Sequence, residues 1–185
     1  MGVVRECKPV LLLIAGFGVT EEALALGKAR AEEEFGPIAK ESRSYRVDNF
    51  THYYEKEMGP ALTKRFWVFE NLVDPSELPD VKLKTNAWEE EIGADLDAKG
   101  AVSTSRPLNL DPGYIELGKL ILASTKDHAH RIYLRDGIFA ETTLMYAQKR
   151  WQALPWSYPD YQDPENQEFF SECREYLKER YREEA

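Results

Sequence analysis

The stretch "STKDHAHRIYL", residues 124–134, holds two of the chain's three histidines, His128 and His130, beside Lys126, Asp127 and Arg131. Imidazole changes charge near neutral pH, so a histidine next to a carboxylate can move protons. The runs "HRIYL" and "IFAETTLMY" flank "RDG", and Asp-Gly signals a two-residue hairpin turn. With Asp136-Gly137 as that turn, Leu134 faces Phe139, Ile132 faces Glu141, His130 faces Thr143 and His128 faces Met145. Alternation then puts His128, His130 and Glu141 on one side, with Arg131 and Tyr133 on the other. Three chemistries fit. His128, His130 and Glu141 could ligate a divalent metal. His130 and Glu141 could act as an acid–base pair. The imidazoles and Lys126 could hold an anion. A lone His-x-His is a weak metal signal, so a polar or anionic ligand is favoured over a metal. The plain alternative is a pair of hydrogen-bonded structural histidines. Glu141 resists that reading, because a carboxylate turned into a sheet needs a partner.

Other clusters could serve the same site. "THYYEKE" sets Thr51 with Tyr54, and Tyr53 with Glu57, at helical spacing. Tyr54 and Glu57 could orient a ligand, or form a packed phenol and a solvated acid. "NLDPGY" offers Asn109 and Asp111. Asp111 as N-cap and Pro112 in the first turn predict a helix through "DPGYIELGKLILAST", with a strand as the competing reading. A ligand could sit at that helix start, where free N–H groups gather. "LPWSYPDY" is a rim of aromatics around a pocket or a Pro-stiffened wrap over the core. Phosphate-loop signatures fail: "GFGVTEE" has Glu21 where the last glycine of G-x-G-x-x-G belongs. In "TKD" the spacing of a guanine-reading motif is wrong.

The elements that must position these residues follow from periodicity. Pro9 to Gly18 is an apolar first strand, and Thr20 caps a helix with Leu24, Gly27, Ala31 and Phe35 on one face, stopped by Gly36-Pro37. Ile38 to Val47 suggests a second strand and "TKRFWVFENLV" a third. "DPSELPD" opens a long helix with Leu78, Val81, Trp88, Ile92 and Leu96 inward, and "PLNL" is a fourth strand. Asp163-Pro164 caps a last helix whose apolar face is Phe169, Phe170, Cys173, Tyr176, Leu177 and Tyr181.

Four long motifs, "FTHYYEKEMGP", "NLDPGYIELGKLILASTKDHAHRIYL", "GIFAETTL" and "LPWSYPDY", resemble the bacterial domain-of-unknown-function family 4416 over nearly the whole chain. The resemblance implies that Thr51, Tyr53, Tyr54, Glu57, Asn109, Asp111, Lys126, His130, Arg131 and Glu141 belong to family motifs, as do Trp156, Tyr158 and Asp160. His128 sits where the family pattern accepts other residues, which moves weight from a two-histidine metal site to His130.

The expected molecule is a single domain over residues 1–185. Its fold is α+β, with a ferredoxin-like βαββαβ first half extended by an antiparallel hairpin and a C-terminal helix, and with helices mainly on one face. No run is long enough to span a bilayer. A formal net charge of −9 disfavours nucleic acid as a partner. Cys7 and Cys173 lie far apart and suit free thiols in the cytoplasm. The first nineteen residues read as a buried strand rather than a signal peptide. The favoured function is a small-molecule site for a polar or phosphorylated ligand such as a nucleotide. His130 and Glu141 are its proton-transfer candidates, and Tyr54, Glu57, Asn109, Asp111, Lys126 and Arg131 its ligand-binding ones. The alternative is a non-catalytic interaction module, a homo-oligomer in its simplest form. The residue types name no cofactor and leave open whether the site is catalytic.

Overall fold

A computed structural model describes residues 2–4, 6–104 and 106–183. The run "VLLLIAGFG" forms β1, Val10–Gly18, buried along its full length. A strand apolar on both faces must be covered on both. Thr20 accepts a hydrogen bond from the Ala23 N–H at 3.1 Å and starts α1, Glu21–Phe35, which ends at Gly36 with φ 92°. Short strands β2, Ile38–Glu41, and β3, Tyr45–Arg46, follow, then a single-turn helix α2, Glu55–Met58. The expected second strand is thus broken in two. Next come β4, Thr63–Val73, and α3, Leu78–Ala98, which buries the five apolar residues its period predicts.

The expected helix at Asp111 does not form. β5, Leu108–Ile115, runs straight through Asp111-Pro112, and β6, Lys119–Ser124, returns beside it. Pairing with β1 from Leu11↔Ile115 to Gly18↔Leu108 overrides the local capping signal. Then come β7, Ile132–Arg135, β8, Ile138–Ala147, and β9, Arg150–Ala153, a strand the sequence reading did not anticipate. α4, Pro164–Glu183, closes the chain.

The nine strands make one antiparallel sheet, ordered β2-β4-β1-β5-β6-β8-β7, with β3 on β4 and β9 on β8. The sheet is larger than a four-stranded unit plus a hairpin. Helices lie on both faces rather than mainly one. Residues of α1 and α3 pack with Leu12, Ile14, Trp67 and Phe69, while Phe169, Phe170, Cys173 and Leu177 of α4 pack with Leu11, Leu13, Phe66 and Val68. Alternation along β1 and β4 separates these two sets.

The β7–β8 turn sits where Asp-Gly placed it. Asp136 and Gly137 have φ 52° and 77°, as a type I′ turn needs, and Arg135 pairs with Ile138. The register beyond it differs. A bulge at Leu134 pairs Tyr133 with Phe139 and Ile132 with Ala140. β7 then stops, so His128 and His130 lie in a turn, closed by Arg131 N–H donating to His128 O at 2.9 Å, and not on a strand.

Candidate functional site

Two breaks in the sheet create the site. β5 and β6 pair only from Gly113↔Leu122 to Ile115↔Leu120. The next residue along β5 is Pro112, which has no N–H for a further rung. At Leu110 two side chains of α3 take the missing strand's place: the backbone N–H donates to Glu89 Oε1 at 2.7 Å, and the carbonyl accepts from Lys82 Nζ at 3.0 Å. The second break is on the far edge of β8. β7 covers it as far as Ala140 and β9 resumes at Leu144. In between, the Trp156 indole N–H donates to Thr142 O at 2.9 Å, and the Ser157 hydroxyl donates to Thr143 O. Leu122 pairs with Glu141, so the two breaks adjoin.

Over them lie two adjoining cavities. One, of about 390 Å³, has Phe17, Lys64, Asp111 and Leu122 as its floor and Tyr54, His130, Arg131, Trp156, Tyr158 and Tyr161 among its walls. The other, of about 210 Å³, is lined by Glu57, Lys82, Arg106, Asn109 and Glu141 among others. Tyr54, Asp111, Leu122, Lys126, Arg131 and Tyr158 border both.

Glu141 is the hub. Its Oε2 accepts from Arg131 Nε at 2.7 Å and lies 3.0 Å from His130 Nε2, while Oε1 accepts from Thr143 Oγ1 at 3.2 Å. The Glu141 side chain is 1% exposed and that of Arg131 5%. The Leu134 bulge supplies this contact: one extra residue on β7 turns Arg131 toward Glu141 instead of away from it. Arg131 also donates to Ser124 Oγ, Lys126 O and Tyr158 Oη, which occupies four of the five guanidinium N–H groups. In the tautomer that directs Nε2–H at Glu141, Nδ1 of His130 carries a lone pair, the arrangement of an oriented base. Its ring stacks on Trp156 at 4.9 Å and 13°. The His128 ring stacks on it in turn, at 5.9 Å and 20°. Near-parallel rings point their in-plane nitrogens along parallel lines rather than onto one ion. Among the described residues no three His, Cys, Asp or Glu side chains are placed to hold a metal ion.

The floor is charged. Lys64 donates to Asp160 Oδ2 at 2.6 Å, and Tyr45 donates to the same oxygen at 2.8 Å. The Lys64 ammonium also lies 4.9 Å from the Tyr161 ring centroid and 5.2 Å from that of Phe66. Burial pushes the Asp111 carboxyl up, but the Lys82 and Lys64 ammoniums and the Lys82 hydrogen bond outweigh it and hold it below the usual range. Glu89 goes the other way, because its burial outweighs the pull of Lys82. Burial, then the charges of Glu141 and Asp111, push the Tyr158 phenol up to about 12. Burial and Asp111 raise Tyr54 as well, so both stay neutral hydrogen-bonding phenols over the physiological range.

All eight residues expected from the sequence border these cavities: Tyr54, Asp111, Lys126, His130 and Arg131 the larger, and Glu57, Asn109 and Glu141 the smaller. What is missing is the helix start, since Asp111 lies within β5. Lys64, Lys82, Glu89 and Arg106 were not anticipated. Lys64 left a signal, being a charge in line with Phe66 and Val68 on one strand face. So did Leu78, Lys82, Thr85 and Glu89, a part-polar line at helical spacing beside the apolar stripe of α3.

Comparison with curated proteins and with solved structures finds no match. The model of one family, a domain of unknown function, does match, over residues 8–176, and it takes in every element of the site. This chain therefore belongs to the DUF4416 family.

Proposed function

We propose that the double cavity is a small-molecule site for a polar or phosphorylated ligand such as a nucleotide, with His130 as its proton-transfer group and Glu141 orienting it. The observation that carries this reading is the Glu141–His130 pair at 3.0 Å, opening onto an aromatic-walled cavity of about 390 Å³. A cavity of that size, mostly apolar with a few convergent polar groups, is the usual form of a ligand site. In it Lys126 serves an anionic group, Arg131 adds its one N–H not already engaged, and Tyr54, Asp111, Asn109 and Glu57 serve polar ones. A thermal-shift panel of nucleotides, phosphorylated metabolites and divalent metals tests it. A compound at a hundred times its Kd adds about 2.7 kcal/mol of stability, roughly 5–10 °C in Tm for a chain this long. His130→Ala should reduce the shift, and a panel with no shift sinks the proposal.

A second reading, self-association, rests on β7, an end strand of the sheet with Ile132 73% and Tyr133 58% exposed. Sedimentation velocity of the wild type against Ile132→Lys decides it, and a monomer in both rules it out. The net charge of −9 disfavours nucleic acid in either reading. We further read β2, β4, β1 and β5, with α1 and α3 as crossovers, as a ferredoxin-like βαββαβ unit, in accord with their order in the sheet. The two free thiols, Cys7 and Cys173, fit a reducing cytosol.

A further inference from the structure

The charges in the cleft are nearly all spoken for. Lys64 is paired with Asp160 at 2.6 Å, Lys82 with Asp111 at 3.2 Å, and Arg131 with Glu141 at 2.7 Å. Arg106 is shared between Glu57 and Glu89, at 3.1 and 3.3 Å. Lys126 is the exception. The residue is exposed, its ammonium donates to Tyr53 Oη at 3.0 Å and lies 5.2 Å from that ring's centroid, and among the described residues it is in no ion pair. It borders both cavities. In a chain of net charge −9, one cation without a carboxylate partner on the border of both cavities marks the place for one anionic group.

The larger cavity asks for something planar. Phe17, Phe50, Tyr54, Trp156 and Tyr161 line it. Rings with one polar edge are the ligands such walls accept. The floor offers partners for that edge. Asp111 is held ionised by its ammonium neighbours and accepts N–H groups. Lys64 has N–H groups beyond the one given to Asp160.

We infer that this site takes a nucleoside monophosphate, with the base between the aromatic walls, its edge on Asp111 and Lys64, and the phosphate on Lys126. The inference rests on the small-molecule reading above and narrows it. A triphosphate adds two phosphate groups with no free cation to meet them, against the carboxylates of Glu57, Asp111 and Glu141 that border the cleft. An unphosphorylated nucleoside leaves Lys126 unused.

Isothermal titration calorimetry with the four common nucleosides, their 5′-monophosphates and their 5′-triphosphates, the last with and without magnesium, tests this. At least one monophosphate should bind about tenfold to a hundredfold more tightly than its nucleoside and its triphosphate, the gain expected of one charge-assisted contact. Lys126→Ala and Lys126→Gln should erase that preference and leave nucleoside affinity unchanged, and Lys126→Arg should keep most of it. Equal or tighter triphosphate binding overturns the inference, as does a preference that survives Lys126→Ala. If no nucleoside or nucleotide binds, it also falls. In that case a His130-dependent thermal shift from another planar acid leaves the broader small-molecule reading standing, and no shift from any compound removes both.

Discussion

Glu141 illustrates how much rests on single residues. Its carboxylate holds Arg131 and His130 at once, and neither it nor Arg131 has water to fall back on. Removing one partner of a buried pair strands the other's charge, at about 3–5 kcal/mol. Glu141→Ala should therefore lower the urea midpoint by that equivalent, with Glu141→Gln losing less because it still accepts a hydrogen bond. Near-wild-type stability of Glu141→Ala would mean that Arg131 reaches solvent. Asp111 gives a pH test. Its folded pKa is depressed, so the stability it contributes is complete above the unfolded value of about 4 and is lost as pH falls through the lower folded one. Thermal melts from pH 7 to pH 3 should fall less steeply for Asp111→Asn than for the wild type, starting from a lower value at pH 7 because Lys82 has lost its counter-charge. Parallel curves would show that Asp111 is not held down.

At the scale of elements, the site exists because β5 and β6 meet and then part. Their approach is close: a Cβ on Gly113 would sit 2.1 Å from Ile121 O, a backbone atom that cannot swing aside. Gly118, in the turn joining the two strands, has nothing within 4 Å of the same added atom. Gly113→Ala should cost about 1–3 kcal/mol or more through overpacking, and Gly118→Ala under about 0.5 kcal/mol, both measured by urea unfolding. Equal costs would place the strands further apart than they are here. The Leu134 bulge is the other device at this scale. Deleting Leu134 removes only the unpaired residue: Tyr133 stays opposite Phe139 and Ile132 opposite Ala140, so Arg131 keeps its place beside Glu141 and any ligand-induced shift should survive. A deletion variant that loses the shift would show that the site depends on the bulge itself and not on the register it sets.

For the whole molecule, the sheet is the shared wall between two apolar clusters, one under α1 and α3 and one under α4. Trp67 and Trp88 belong to the first cluster and Trp151 to the second. If both faces depend on the same strands, tryptophan fluorescence and far-UV circular dichroism should give one coincident urea transition. Two transitions would mean that one face can be stripped while the other stays folded. The −9 charge belongs to this scale as well, because it makes an uncompensated Lys126 count for more.

What the sequence alone determined was whatever is written in neighbouring residues. The β1 run, the Thr20 cap, the inward stripe of α3 and the Asp136-Gly137 turn depend on spacings of a few positions, and so does the choice of His130, Glu141 and Asp111 as residues with chemistry to do. Tertiary structure decided the rest. Asp111-Pro112 caps a helix when read locally, and only the ladder to β1 makes it a strand. The register beyond the β7–β8 turn hangs on one bulged residue, which no alternation pattern can show and which reverses the side to which Arg131 points. Lys64 and Asp160, ninety-six positions apart, are an ordinary lysine and an ordinary aspartate until the fold buries them against each other. Local signals report the free energy of a few residues, whereas burial, pairing and a site's charge balance are sums over distant ones.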